Sequence, residues 1–208
     1  MPNINRRYLI VFLILNCLFL KVYCQKGFSV GTSLSVQNTK LDSRLNKKVE
    51  TYNAYRPAGN INLQYRFSNK IALQSGIGYM LLTQKTTDFS NNFNYLNVPV
   101  YIKLGSYKNN RRFAFTYFGG FNFQYLINAN NIYNNEKTNI NKYCDSFHYE
   151  TIVGTGLKYK INDKLEMESY AFISRGCVIN KTTSNGFNLS NKNYGIIINM
   201  IYELEFQK

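Results

Sequence analysis

The sequence predicts an all-β fold: an eight-stranded antiparallel up-and-down transmembrane β-barrel, preceded by a cleavable signal peptide. Three observations predict it. Apolar residues alternate with polar ones along most of the chain and rarely gather into runs. The connections between the alternating segments are long and short by turns, the pattern of outer loops and periplasmic turns. The first two dozen residues are laid out as an export signal.

The signal comes first. Arg6 and Arg7 precede the apolar run Tyr8 to Leu20. That run is too short for a bilayer-spanning helix, which needs about 20 apolar residues. Cleavage after Cys24 leaves residues 25–208 as the barrel domain. No second apolar stretch in them is long enough for a membrane helix. Removing Arg6, Arg7 and Lys21 lowers the formal charge from +14 to +11. The remaining charges are scattered over loops and strand ends, with no basic helix and no zinc spacing, so no nucleic-acid partner is expected.

Eight alternating segments follow. The first, FSVGTSLSV, sets Phe28, Val30, Leu34 and Val36 on one face. The second, INLQYRF, opposes Ile61, Leu63, Tyr65 and Phe67 to Asn62, Gln64 and Arg66. IALQSGIGYML is the third and YLNVPVYIKL the fourth. In the fourth, Leu96, Val98, Val100, Ile102 and Leu104 form an aliphatic row, against Asn97, Tyr101 and Lys103. Pro99 removes one ladder bond, and a local bulge is expected there. The fifth segment, RFAFTYFGGFNFQYL, is the most aromatic. The sixth, HYETIVGTGLKY, carries Tyr149, Val153, Leu157 and Tyr159 against His148, Glu150 and Lys158. The seventh is LEMESYAFIS and the eighth YGIIINMIYELEF. Long gaps follow the first, third, fifth and seventh (37–55, 85–92, 127–147 and 175–192), and tight connections follow the others.

A strand with one aliphatic and one polar face needs two different solvents. In a bilayer every backbone polar group must be paired within the protein, so only a closed sheet spans. The aliphatic rows then meet lipid. The polar rows fill a lumen that, with eight strands, is just wide enough for side chains. The opposite arrangement, a soluble periplasmic lipocalin-like carrier of an apolar ligand, requires Val98, Val100, Ile196 and Ile198 inside.

Gly76-Ile77-Gly78-Tyr79 followed by Tyr95-Leu96-Asn97-Val98-Pro99, with Lys103, resembles the PorT-like outer-membrane β-barrel proteins of Bacteroidota. The likeness is sharp between about Tyr65 and Gly105 and covers the rest in layout. It implies an outer-membrane barrel; the family's named member is implicated in type IX secretion and gliding.

The lumen charge cluster expected from alternation is Arg66, Lys103, Glu150, Lys158, Glu166 and Glu168, with Glu203 on the same side. Buried charges need partners, so these residues read as an internal salt-bridge plug. Glu166 and Glu168 lie on one face, but no nucleophile and base accompany them, and the single histidine, His148, stands near a loop boundary. The expectation is therefore no enzyme, no cofactor and no metal. Two cysteines remain after signal removal, and an exported protein can keep a disulfide. With a turn near Asn162 and Asp163, Cys144 and Cys177 fall nearly opposite in register, so a disulfide between them is reasonable. The expected partners are outer-membrane lipid, lipopolysaccharide through loop lysines such as Lys47, Lys48, Lys137 and Lys142, and other envelope proteins.

Overall fold

Alternation carries the chain up and down between two rims in a closed antiparallel sheet. The computed structural model describes residues 27–45, 48–85, 89–105, 112–133, 136–179 and 188–204. The expected signal peptide, residues 1–24, lies outside them. The strands are β1 (Phe28–Leu45), β2 (Lys48–Arg66), β3 (Ile71–Lys85), β4 (Phe89–Gly105), β5 (Phe113–Tyr133), β6 (Glu136–Asn139), β7 (Phe147–Lys160), β8 (Leu165–Ile179) and β9 (Asn188–Leu204). Eight of them pair in chain order, and β1 closes the ring on β9, from Phe28 opposite Leu204 to Ser43 opposite Leu189. Closure leaves no barrel strand with an unpaired edge.

The ninth strand lies in a stretch expected to be loop. β6 pairs only with the outer end of β5, where β7 has not yet begun. A 3-10 turn, Asn141–Tyr143, then leads back to the barrel. The 37–55 gap is also strand: β1 and β2 stay in register up to Leu45 opposite Lys48. The inward row there is polar, with Gln37, Thr39 and Arg56 buried, so the ladder continues while the hydropathy alternation that reveals a strand fades.

The tight connections have local causes. At residues 67–70 the Ser68 hydroxyl accepts from the Lys70 and Ile71 amides, both at 3.2 Å. At 161–164 the Asn162 side chain accepts from Lys164 and Leu165 at 2.9 and 2.8 Å. Such side-chain caps stabilise turns of this length.

The two faces differ as the alternation requires. Leu34, Ile61, Ile77, Phe115, Val153, Ile173 and Ile196 are more than half exposed, all pointing outward. Gln64, Gln74, Thr116, Gln124, Glu150 and Glu168 are at most 2% exposed, all pointing inward. A sheet that turns its greasy side out and its charges in belongs in a bilayer. The carrier alternative is therefore corrected: Ile196 and Ile198, which it requires inside, are 57% and 48% exposed on the outer wall.

Four inward rings stand opposite inward glycines. Tyr101 faces Gly120, Phe118 faces Gly154, Tyr170 faces Gly156, and Phe172 faces Gly195. A Cβ at Gly154 would collide with the Phe118 ring, and one at Gly156 with Tyr170. These missing side chains make room for the aromatic layer that, with Ile152 and Ile197, fills the middle of the barrel.

Pro99 is handled differently from the expectation. The β3–β4 register is the same on both sides of it, and pairing lapses only across Gly76–Ile77 and Val98–Pro99. Pairing to β5 continues through Pro99 opposite Asn122. The missing donor costs a ladder bond on one side without requiring an extra residue. The bulge lies elsewhere, between Asn94 and Tyr95, where Ile127 is the unpaired residue of β5. Pro57 behaves like Pro99, with pairing of β2 to β3 lapsing at Arg56–Pro57 and its pairing to β1 intact.

Candidate functional site

The lumen holds three tiers of charge, placed there by the inward parity of β2, β4, β7, β8 and β9. In the outer tier, Arg56 reaches from β2 to β7. Its Nη1 donates to Glu150 Oε1 at 2.5 Å and its Nη2 to Gln124 Oε1 at 3.1 Å. The two charged side chains are 1% and 0% exposed, so water screens neither. In the middle tier, Lys103 Nζ pairs with Glu168 and donates to Gln64 Oε1 at 3.0 Å. Asn199 donates to the same Glu168 carboxylate at 3.2 Å. Beside them the Tyr101 hydroxyl donates to Asn122 at 2.5 Å. In the tier nearest the short connections, Arg66 bridges Glu166 at 2.5 Å and Glu203 at 3.0 Å, and Lys158 donates to Glu166 at 3.2 Å. Glu203 is 27% exposed and marks the wet end.

Among the described residues these tiers engage four cations and four carboxylates, so the network is electrically neutral. Neutrality matters here, because removing one partner of a buried pair costs about 3–5 kcal/mol. A cavity of about 20 Å³ lies among Gln74, Asn97, Tyr101, Lys103, Tyr170 and Asn199. That is room for about one water molecule. Above the outer tier, Ala54, Met80, Leu82, Tyr95, Leu126 and Ala129 form an apolar cap.

All six of the predicted lumen charges point inward, and five of them pair among themselves or with Glu203. Glu150 does not; its partner is Arg56, which sequence reasoning left in the first long loop. The even-numbered inward row Ala58, Asn60, Asn62, Gln64, Arg66, read backward past Pro57, was the signal available. The aliphatic row of β4 points outward, with Leu96, Ile102 and Leu104 exposed and Val98 and Val100 half-buried opposite Phe123 and Phe121.

The expected disulfide requires correction at Cys144, which is a free, buried thiol. The 3-10 turn folds it into the apolar cap, where its sulfur donates to the Ile140 carbonyl at 3.5 Å. Burial, reinforced by Asp145, raises its pKa. The side chain of Cys177 lies outside the described residues, as do Lys47 and the Lys48 side chain; Lys137 and Lys142 are exposed. Among the described residues no three His, Cys, Asp or Glu side chains converge as metal ligands. His148 is buried edge-on to Tyr95, with ring centroids 4.8 Å apart.

A closed eight-stranded barrel, apolar outside and charged within, defines an outer-membrane β-barrel protein, and that is where this chain resides. Its fold is similar to that of the outer membrane protein OprG from Pseudomonas aeruginosa, at 9% identity and TM-score 0.50, over 88% of this chain and 97% of that one. It is similar also to Neisserial surface protein A, at 11% identity and TM-score 0.50, over 83% and 96%. No family model and no curated protein matches the sequence. The expectation that the chain is no enzyme is withdrawn, because a fold does not by itself decide whether its bearer is a catalyst.

Proposed function

We propose that the protein is a sealed, non-conducting barrel that serves as a structural or adhesive element of the outer membrane, or as an accessory subunit of an envelope complex. The neutral three-tier network around a cavity of about 20 Å³ carries this reading. A lumen so filled gives an ion neither a path nor a site, and it holds the wall in one shape. The aliphatic row Leu96, Val98, Val100, Ile102 and Leu104 then meets hydrocarbon, and the strand ends beyond the membrane meet other molecules. The resemblance to PorT-like proteins of Bacteroidota, carried by Tyr95 to Pro99 with Lys103, favours a subunit of a type IX secretion apparatus among these roles. Export by residues 1–24 belongs to the same reading.

Planar-bilayer recording tests the seal. The purified barrel is expected to add no stepwise current at neutral pH. Reproducible single-channel openings would overturn the proposal. Cross-linking in intact envelopes separates the roles, since a subunit yields discrete protein adducts and a free-standing barrel does not.

A further inference from the structure

Outside the lumen, the outer wall carries a cationic ridge that the sealed-barrel reading leaves unused. Arg175 on β8 stands directly opposite Lys192 on β9, and both side chains are exposed on the outward face. The same register continues to β1, where Lys40 is the partner of Lys192. Two adjacent strands thus place a described, exposed cation at one level. Among the described residues no carboxylate pairs with Arg175 or Lys192.

Their height on the wall is informative. On β9 the outward row runs Tyr202, Met200, Ile198, Ile196, Tyr194 and then Lys192. The two tyrosines lie eight positions apart, about 27 Å along a strand. At a tilt near 45° that is about 20 Å along the membrane normal, close to the roughly 25 Å apolar band with aromatic girdles of such barrels. Lys192 and Arg175 therefore lie just past the girdle. They lie at the rim opposite the short connections 67–70 and 161–164, which is the cell exterior in the arrangement above. Directly beneath them Val153, Ile173 and Tyr194, which are 55%, 63% and 49% exposed, line an open groove of about 500 Å³. The groove reaches Arg175 and Lys192 themselves.

Paired cations at headgroup height above an apolar groove match one kind of molecule: an anionic lipid whose phosphate sits on the charges while an acyl chain lies along the wall. We propose that Arg175 and Lys192 form a binding site for the phosphorylated glycolipid of the outer leaflet, lipid A. This rests on the outward-apolar barrel described above and adds a defined ligand site to it. A phospholipid of the inner leaflet would meet the wrong rim.

The test uses the full chain refolded in phosphatidylcholine nanodiscs, titrated with fluorescent diphosphoryl lipid A and separately with its enzymatically dephosphorylated form. Heat-modifiable gel migration of the same sample reports the barrel independently. The proposal expects the phosphorylated lipid to bind more tightly than the dephosphorylated one. Arg175→Gln and Lys192→Gln should each weaken it by about fivefold, the worth of about 1 kcal/mol per cation near a lipid surface. Lys137→Gln should leave it unchanged. Equal binding of both lipids, equal binding by the variants, or full competition by millimolar inorganic phosphate would overturn the site while the barrel stands. Loss of heat modifiability in the wild-type protein would instead overturn the barrel reading, and the site with it.

Discussion

Arg56 and Glu150 lie 94 residues apart in the chain, yet their side chains meet at 2.5 Å across the full width of the barrel. Strands β2 and β7 have three barrel strands between them in either direction around the ring. The pair therefore acts as a strut between opposite walls. Replacing Arg56 by Met strands a dry carboxylate and is expected to lower stability by about 3–5 kcal/mol. Adding Glu150→Gln should restore most of that loss. Urea titration of the four proteins of the cycle in lipid vesicles measures the coupling; additive effects would mean that the strut is not formed.

The outer wall should show the opposite sensitivity. Val100→Arg places a charge near the middle of the apolar band and is expected to cost about 2–4 kcal/mol. Lys137→Glu, on the exposed β6, should change stability by less than about 0.5 kcal/mol. Equal tolerance at the two positions in the same unfolding assay would argue against lipid at β4.

Gly156 is expected to resist any side chain. A Cβ there meets both the Ser169 carbonyl and the Tyr170 ring. Gly156→Val should therefore hinder folding, seen as a reduced yield of the heat-modifiable band, whereas Thr155→Val on the outward face next to it should fold normally.

Cys144 should behave as a shielded thiol. Its burial and raised pKa both suppress the thiolate. Alkylation by iodoacetamide at pH 7.5 is expected to be slow in the folded barrel and fast in urea. Mobility on non-reducing gels should not change with reductant, and a reductant-dependent shift abolished by Cys144→Ser would contradict the free thiol.

The hairpin at 161–164 offers a pH prediction. Asp163 accepts from Lys160 Nζ at 2.6 Å in the exposed 161–164 turn, and that hydrogen bond and charge lower its pKa. A depressed carboxyl pKa stabilises the folded state fully above the ordinary aspartate value of about 3.9. The contribution is lost as pH falls through the lowered folded value. Carboxyl-carbon NMR should find the Asp163 midpoint below that of a free aspartate, and Lys160→Gln should bring it back.

The rows of β4 and β9 were legible because a membrane barrel meets two solvents, so Val98, Val100, Ile196 and Ile198 had to share a side. The cross-lumen partners were less so. Which inward charge meets which depends on how far strands are staggered around the ring, and alternation along a single strand carries none of that. Arg56 was hidden for a further reason. It lies in the polar stretch where β1 and β2 leave the apolar layer and hydropathy no longer marks a strand. Pro99 suggested a bulge from its missing donor alone, but the register could absorb that loss because the bond lapses only toward β3. For Cys144, a register argument carried the chain straight outward from β7. In the structure, β6 and the 3-10 turn divert it into the barrel mouth.

The most direct test of which way the rows face uses the absence of tryptophan from the chain. Val100→Trp supplies a single indole on the outward row, and the protein is reconstituted in vesicles containing lipids brominated along their acyl chains. Strong quenching by the bromolipid, with blue-shifted emission and little effect of aqueous iodide, is the predicted result. Quenching by iodide with none from the bromolipid would place Val100 in water and contradict the account.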